Sequence, residues 1–424
     1  MASVADFRRR ICELASAIKV HKDAIGELER TKSEVESDLN AILDPVGRLP
    51  LEISSDIFLR CLPSNPTCNK REAPLAFMRV CHSWSNIALS TPSLWTTVSF
   101  ESPCRKSIVK LCDDWLNRSK ALPRSLSISG SLDERAAGLV EQHADRLQNL
   151  NLALFSGKEL RQLTTMSFVS LTSLTISQGV VASTQRYRVG GDHHYFSTVD
   201  ECAQMLCAAP NLVECVFDGL TFSRGTLRDY EYPGFSTHPS LKSLRLGTDD
   251  LGSSSSAYIL QYMTLPALET LSISYPDIPP SDFIGFLTRS SALLRTLSMK
   301  VYTFHTMWSV DVVDALFRLL PTLTHLNLQF GGGNLPEFFE SLVIRSLSEL
   351  PNLRDLQVRE CAPARPQYER LVGVLAADAK IRSFRLVWTD FPNYTPDPDI
   401  LVSLQEIAAN GVEIHVGPEE SNLI

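Results

Sequence analysis

One spacing constrains this 424-residue chain more than any other: an apolar-x-x-apolar-x-apolar unit that returns every few tens of residues. It reads Leu147-Leu150-Leu152, Leu171-Leu174-Ile176, Leu212-Cys215-Phe217, Leu241-Leu244-Leu246 and Leu268-Leu271-Ile273. It continues as Leu294-Leu297-Met299, Leu323-Leu326-Leu328, Leu353-Leu356-Val358 and Ile381-Phe384-Leu386, with weaker copies at Leu126-Ile128 and Ile414-Val416. From Leu212 to Ile381 successive units start 29, 27, 26, 29, 30 and 28 residues apart. Alternation within each unit is the period of a strand, and a fixed period of this length marks stacked supersecondary repeats. A proline precedes many units by two residues (Pro210, Pro239, Pro266, Pro321, Pro351), where a preceding helix must stop.

Between the strands, residues 199–209, 257–263, 282–288, 310–320, 336–350 and 368–377 suit short helices, with Asp282 and Asp311 as caps or first-turn acids. Each strand-helix pair is too small to bury its own apolar face, so stacking must supply the core. The pattern resembles leucine-rich repeats, which implies an α/β solenoid. The Asn or Cys usual in that family three residues after the last apolar position is mostly replaced: Phe155, Asp249, Tyr302 and Thr389 stand there, and only Cys361 fits. An asparagine ladder is therefore not expected. The interval from Leu171 to Leu212 is 41 residues, leaving a polar insert at 178–198 with Arg186-Tyr187-Arg188 and His193-His194. Residues 220–237 form a second irregular stretch. Such insertions map to loops, either tolerated or part of a binding face.

Ahead of the repeats lies a different pattern. Leu49-Pro50-Leu51-Glu52-Ile53 is followed by Asp56-Ile57-Phe58 and Cys61-Leu62, then by Val80-Cys81, Trp84, Ile87-Ala88 and Pro92-Ser93-Leu94-Trp95. Pro50 suits a first helical turn, where its missing N–H costs nothing, and Glu52 favours the positive end of the helix dipole. Ile53, Ile57 and Cys61 share one helical face, widened by Phe58 and Leu62; Val80, Trp84, Ile87 and Ala88 repeat the stripe. A unit of about fifty residues buries little surface alone, which predicts a neighbour or a partner.

Residues 49–95 resemble an F-box, and the layout is most similar to F-box proteins abundant in mushroom-forming fungi. The resemblance implies docking on a Skp-type adaptor, and through it a cullin, by Leu49, Pro50, Ile53, Ile57, Phe58 and Leu62, with Val80 and Trp84 in support. The alternatives are a plain helical cap on the repeats and a repeat scaffold with an F-box-like cap and no ligase role.

Residues 7–42 follow a heptad with core slots Phe7, Ile11, Leu14, Ile18, His21, Ile25, Leu28, Lys32, Val35, Leu39 and Ile42. Charged side chains fill the gaps, which predicts a coiled-coil helix that pairs with a second helix or folds back on its own chain. His21 and Lys32 weaken the core while fixing its register, Gly26 costs about 1 kcal/mol against alanine, and Asp44-Pro45 ends the helix. The expected organisation is a coiled-coil helix at 1–43, a small all-α F-box at 44–100 and the solenoid at 101–424.

A formal charge of −8 leaves no Lys/Arg excess for neutralising phosphates, so nucleic acid is not an expected partner. The charged start at residues 1–10 lacks the apolar run of a signal peptide, and no stretch has the length of a membrane span. The ten cysteines are expected to be reduced and mostly buried, including Cys202 and Cys207, in cytosol or nucleus.

No phosphate loop, zinc-ligand spacing or nucleophile elbow is present. His193-His194 with Asp192, and the acidic pairs Asp113-Asp114 and Asp249-Asp250, read as polar loops, turns or caps. Neither metal nor cofactor is expected, nor any covalent chemistry by this chain. The expected function is substrate recognition in a cullin-type ubiquitin ligase. Alternation points residues between the apolar ones out of the core, and Arg245, Lys300, His325, Arg359 and Arg385, with Arg186 in the insert, make either a basic face for an unknown acidic or phosphorylated substrate protein or a solvated strand face whose charges bind nothing.

Overall fold

A computed structural model describes residues 4–154, 157–178, 199–218, 236–247, 256–274, 278–291, 293–301, 310–330, 343–360, 363, 365–377, 380–388 and 395–424. The chain divides into two compact units: Met1–Ser99 with Lys110–Pro123, and Phe100–Val109 with Arg124–Ile424.

The first unit is helical. Helix α1 (Val4–Leu43) runs through the heptad segment. Helix α2 (Leu51–Arg60) starts at Pro50 as N-cap, with Glu52 in its first turn and Arg60 in its last. After a short 3-10 turn at Phe77–Arg79, helix α3 (His82–Ser90) is capped by the Cys81 side chain, which accepts from the Trp84 amide. The core is aromatic. Phe58 stacks on Phe77 with centroids 4.2 Å apart, and Trp84 leans on Phe58 at 5.0 Å. Deeper, Trp95 meets Trp115 edge-on at 5.2 Å and donates its indole N–H to the Ala88 carbonyl, so the polar end of a fully buried ring is satisfied. Trp115 belongs to helix α4 (Lys106–Arg118), whose Arg118 guanidinium lies 4.6 Å over the Trp95 ring. Asp113 and Asp114 are therefore helical residues rather than turns or caps; Asp113 accepts from Asn117 one turn on.

The second unit carries a parallel sheet. Its strands are the end of β1 (Thr97–Ser102), β2 (Arg124–Gly130), β3 (Leu147–Leu154), β4 (Ser173–Gln178), β5 (Glu214–Asp218), β7 (Ser243–Leu246) and β9 (Thr270–Ser274). They continue as β10 (Thr296–Val301), β11 (His325–Phe330), β12 (Asp355–Arg359), β13 (Ser383–Val387) and β14 (Glu413–Gly417). The twelve strands lie side by side in chain order, while β6 (Ser236–Thr237) and β8 (Met263–Thr264) pair separately. From β3 to β14 each described neighbour pair in the main sheet is parallel.

This order is that of a strand-helix solenoid, and register explains it. Leu150, Leu174, Cys215, Leu244, Leu271, Leu297, Leu326, Leu356, Phe384 and Ile414 are successive partners in one row. All are buried, as are the third apolar positions from Leu152 to Val416. From Leu171 onward the first position of the unit, such as Leu212, Leu241 or Leu323, is buried just before its strand. Each repeat thus covers its neighbour's apolar row, which is why the spacing must recur.

The helices fall near their expected places at Val199–Ala208, Pro280–Ser290, Val310–Arg318 and Arg365–Ala377, with a 3-10 helix at Ser256–Gln261; of the helix expected at 336–350 the structure shows Arg345–Glu349, residues 336–342 lying outside the described residues. Asp282 and Asp311 are first-turn acids, and Pro279 rather than an aspartate occupies the N-cap before residue 280. Helices at Glu134–His143 and Gly157–Thr164 fill the earlier repeats, where the spacing alone is silent. Gly130 closes β2 at φ +92°, and a Cβ there would sit 1.9 Å from the Ser102 carbonyl oxygen, so no other residue fits unstrained. The positions of the missing asparagine ladder (155, 249, 302, 361, 389) and most of both irregular stretches lie outside the described residues.

Candidate functional site

Helix α2 has two apolar faces with different fates. Ser54 and Phe58 point inward: Phe58 is 1% exposed, and the buried Ser54 hydroxyl donates to the Val46 carbonyl at 2.9 Å. Ser55 and Thr91 share a 2.7 Å hydroxyl pair that ties the helix to the segment after α3. On the outward face Ile53 and Ile57, one turn apart, are 51% and 37% exposed, and Leu49, just before the N-cap, is 41% exposed. Leu51 and Val80 are also exposed, Pro50 lies at the surface, and Leu62 is half-buried.

The predicted docking set is therefore split. Leu49, Pro50, Ile53, Ile57 and Val80 reach solvent, whereas Phe58 belongs wholly to the core and Trp84 is half-buried against Phe58 and Phe77. The 3.6-residue period says that both sets are apolar; only packing says which is covered. Ile53 and Ile57 in consecutive turns of α2, with Leu49 just ahead of its N-cap, cost free energy in water, and burying one such side chain fully recovers roughly 1.5–3 kcal/mol. Their arrangement can hold an apolar partner surface.

The second surface is the outward face of the sheet. Arg245, Ser272, Ser298, Asn327, Gln357, Arg385 and His415 are successive register partners in one row. Lys300, Gln329 and Arg359 form the next row, and His325 and Asp355 pair on the other side. Strand alternation thus assembles the predicted residues, but their charges are partly spent. Arg359 donates through both terminal nitrogens to the Glu419 carboxylate at 3.0 and 2.9 Å, and His325 lies 2.9 Å from Asp355. With its amide oxygen turned toward Arg359, Gln357 accepts from the same guanidinium.

The hydrogen bond from Arg359 holds the Glu419 carboxyl below its ordinary value, with Arg385 and His415 contributing charge. The face is less basic than alternation implies, because Glu419 arrives from beyond the last strand. The acidic Glu419-Glu420 pair after β14 was the available signal, but it could not say where the tail turns back. Arg245 is exposed and has no carboxylate partner among the described residues; the Arg385 Nε is likewise without one. Arg186 lies outside the described residues, as do Asp192, His193, His194, Asp249 and Asp250.

Cys202 is buried, and burial pushes its thiol up in pKa, but Cys207, expected in the core, is exposed with its sulfur 2.9 Å from the Ser236 hydroxyl. Met205 and Leu206 take the buried side of that turn and leave Cys207 on the outer side. Among the described residues no His/Cys/Asp/Glu group of three or more could hold a metal, and no helix is long and apolar enough to cross a membrane.

No family model matches the chain, and no curated protein does. Among solved structures, it is similar to the leucine-rich repeat-containing protein LegL7 from Legionella pneumophila, at 14% identity over 77% of this chain and 92% of that one, with a TM-score of 0.40. A protein from Bacteroides fragilis matches at 14% identity over 71% and 76%, with a TM-score of 0.39. Likenesses this loose carry no argument, and the repeat architecture rests on the strand order and register above.

Proposed function

We propose that this chain is the substrate-recognition subunit of a cullin-type ubiquitin ligase, an F-box module followed by a leucine-rich-repeat solenoid. The carrying observation is the outward set of Leu49, Ile53 and Ile57 on a module whose large rings Phe58, Phe77 and Trp95 are buried. That stripe falls in the stretch that resembles an F-box, and a Skp-type adaptor is the partner the resemblance implies. Phe58 and Trp84 act on docking only by holding α2 in place. The sheet's outward face, with Arg245 and Arg385 toward its later strands, holds the substrate protein. This chain performs no bond chemistry in this reading; it raises the effective concentration of substrate near an enzyme that does.

The test is co-purification of the full chain with a Skp-type adaptor and a cullin. Leu49→Ala/Ile53→Ala/Ile57→Ala removes the stripe without touching the core, so the unfolding temperature should hold while adaptor capture falls at least tenfold. Undiminished capture by a folded triple variant would overturn the docking assignment. No capture by the native chain would leave the repeat-scaffold reading in its place.

A further inference from the structure

The 40-residue helix α1 carries an apolar seam that nothing among the described residues covers. Phe7, Ile11, Leu14, Ile18, Ile25, Leu28, Val35 and Leu39 are each more than half exposed. The seam divides into two alternating slot series. Ile11, Ile18, Ile25, Lys32 and Leu39 occupy one; Phe7, Leu14, His21, Leu28 and Val35 occupy the other. Two polar residues, one in each series, break an otherwise apolar seam, and charge is distributed unevenly along it. Residues 8–22 carry Arg8, Arg9, Arg10, Lys19 and Lys22 against Glu13 alone. Residues 23–36 carry Asp23, Glu27, Glu29, Glu34 and Glu36 against Arg30 and Lys32.

We propose that α1 pairs with α1 of a second copy in antiparallel orientation, in the register that sets His21 of each chain opposite Lys32 of the other. When two such helices run in opposite directions, each slot of one series faces a slot of the other series. Placing His21 against Lys32 then fixes every other layer. Ile25 meets Leu28, Ile18 meets Val35 and Leu14 meets Leu39, all apolar against apolar. The two polar slots face each other, where a His21 ring nitrogen and the Lys32 ammonium, itself 3.6 Å from Glu36 one turn on, share one polar layer. On the flank, Lys22 lies beside Glu29 of the other chain, and neither has an ion-pair partner within its own chain among the described residues. In this register residues 17–22, with Lys19 and Lys22, face residues 31–36 of the other chain, with Glu34 and Glu36.

A parallel pair loses each of these matches. It stacks Lys32 on Lys32 and His21 on His21, and lays like charge along like charge. The isoleucine-against-leucine division of the two series favours parallel dimers. Against that preference stand a buried pair of facing ammonium groups and the repulsion of both charged segments, and two desolvated like charges outweigh a packing preference among aliphatic residues. The consequence reaches beyond the docking surface. A helix of 40 residues spans about 60 Å, so an antiparallel pair would carry its two docking modules at opposite ends of one rod.

Light scattering on the full chain should report a dimer at micromolar concentration. Orientation is read by cross-linking in a Cys12→Ser background, with that parent as the blank. L14C alone and L39C alone should give no covalent dimer, and a mixture of the two should give one under mild oxidation. Register is read by charge: E29K should raise the dissociation constant about tenfold, since both symmetric flanking contacts turn repulsive, and K22E/E29K should restore it. A monomer at every concentration, self-linking of each single cysteine, or indifference to E29K would each overturn the proposal. Helicity measured on every variant by circular dichroism separates these outcomes from unfolding.

Discussion

The solenoid and the helical module place similar aliphatic residues in opposite situations. In the sheet, Leu326 is covered by Leu297 on one side and Leu356 on the other, and it is 2% exposed. On α2, Ile53 belongs to an apolar stripe of comparable strength and is 51% exposed. A repeated unit brings its own cover in the form of the next repeat. A small, non-repeating module uses its few large rings for its own core and leaves the remaining apolar face to solvent or to a partner. Exposure of a regularly spaced apolar row is therefore informative in the module, whereas burial of the same kind of row in the solenoid is what stacking requires.

Substitutions can break this comparison. The largest effect is expected at Trp84→Ala, where a ring packed on Phe58 and Phe77 is lost from a small core at about 3–5 kcal/mol; chemical denaturation of the first unit should report it. Leu326→Ala should cost about 2–5 kcal/mol, because flanking repeats cannot collapse into the space. If it costs less than Ile53→Ala, the contrast between the regions fails. Ile53→Ala itself should change stability by no more than about 0.5 kcal/mol, and under the proposed function its effect should be on adaptor capture.

The smallest effect is expected at the sheet's end. Glu419 is held below the ordinary carboxylate range by Arg359, so the ion pair contributes stability above that range and loses it as pH falls through the lowered value. Glu419→Gln should destabilise slightly at neutral pH, and its thermal-unfolding difference from the native chain should vanish in acid. Persistence of that difference in acid would mean that the Arg359 contact stabilises by packing rather than charge.

Much of this fold is legible in residue order. The recurring apolar triplets determine the strands, the register rows and the solenoid, because a two-residue alternation repeated at a nearly constant interval has one way to bury its apolar side. The heptad likewise determines α1, and Pro50 with Glu52 the start of α2. Spacing is silent where the interval is irregular, so the helices at 134–143 and 157–164 and the separate β6–β8 pair come only from the structure.

Tertiary structure alone decided that Phe58 turns into an aromatic cluster while Ile57, its neighbour in sequence, turns out. Both are apolar and one helical step apart, and the choice depends on Phe77 and Trp84 arriving from later in the chain. It decided as well that Arg359 is spent on Glu419, sixty residues away. Periodicity along a chain says which side chains avoid water together; which of them succeed, and which charges stay unpaired, depends on distant segments that no local spacing can locate.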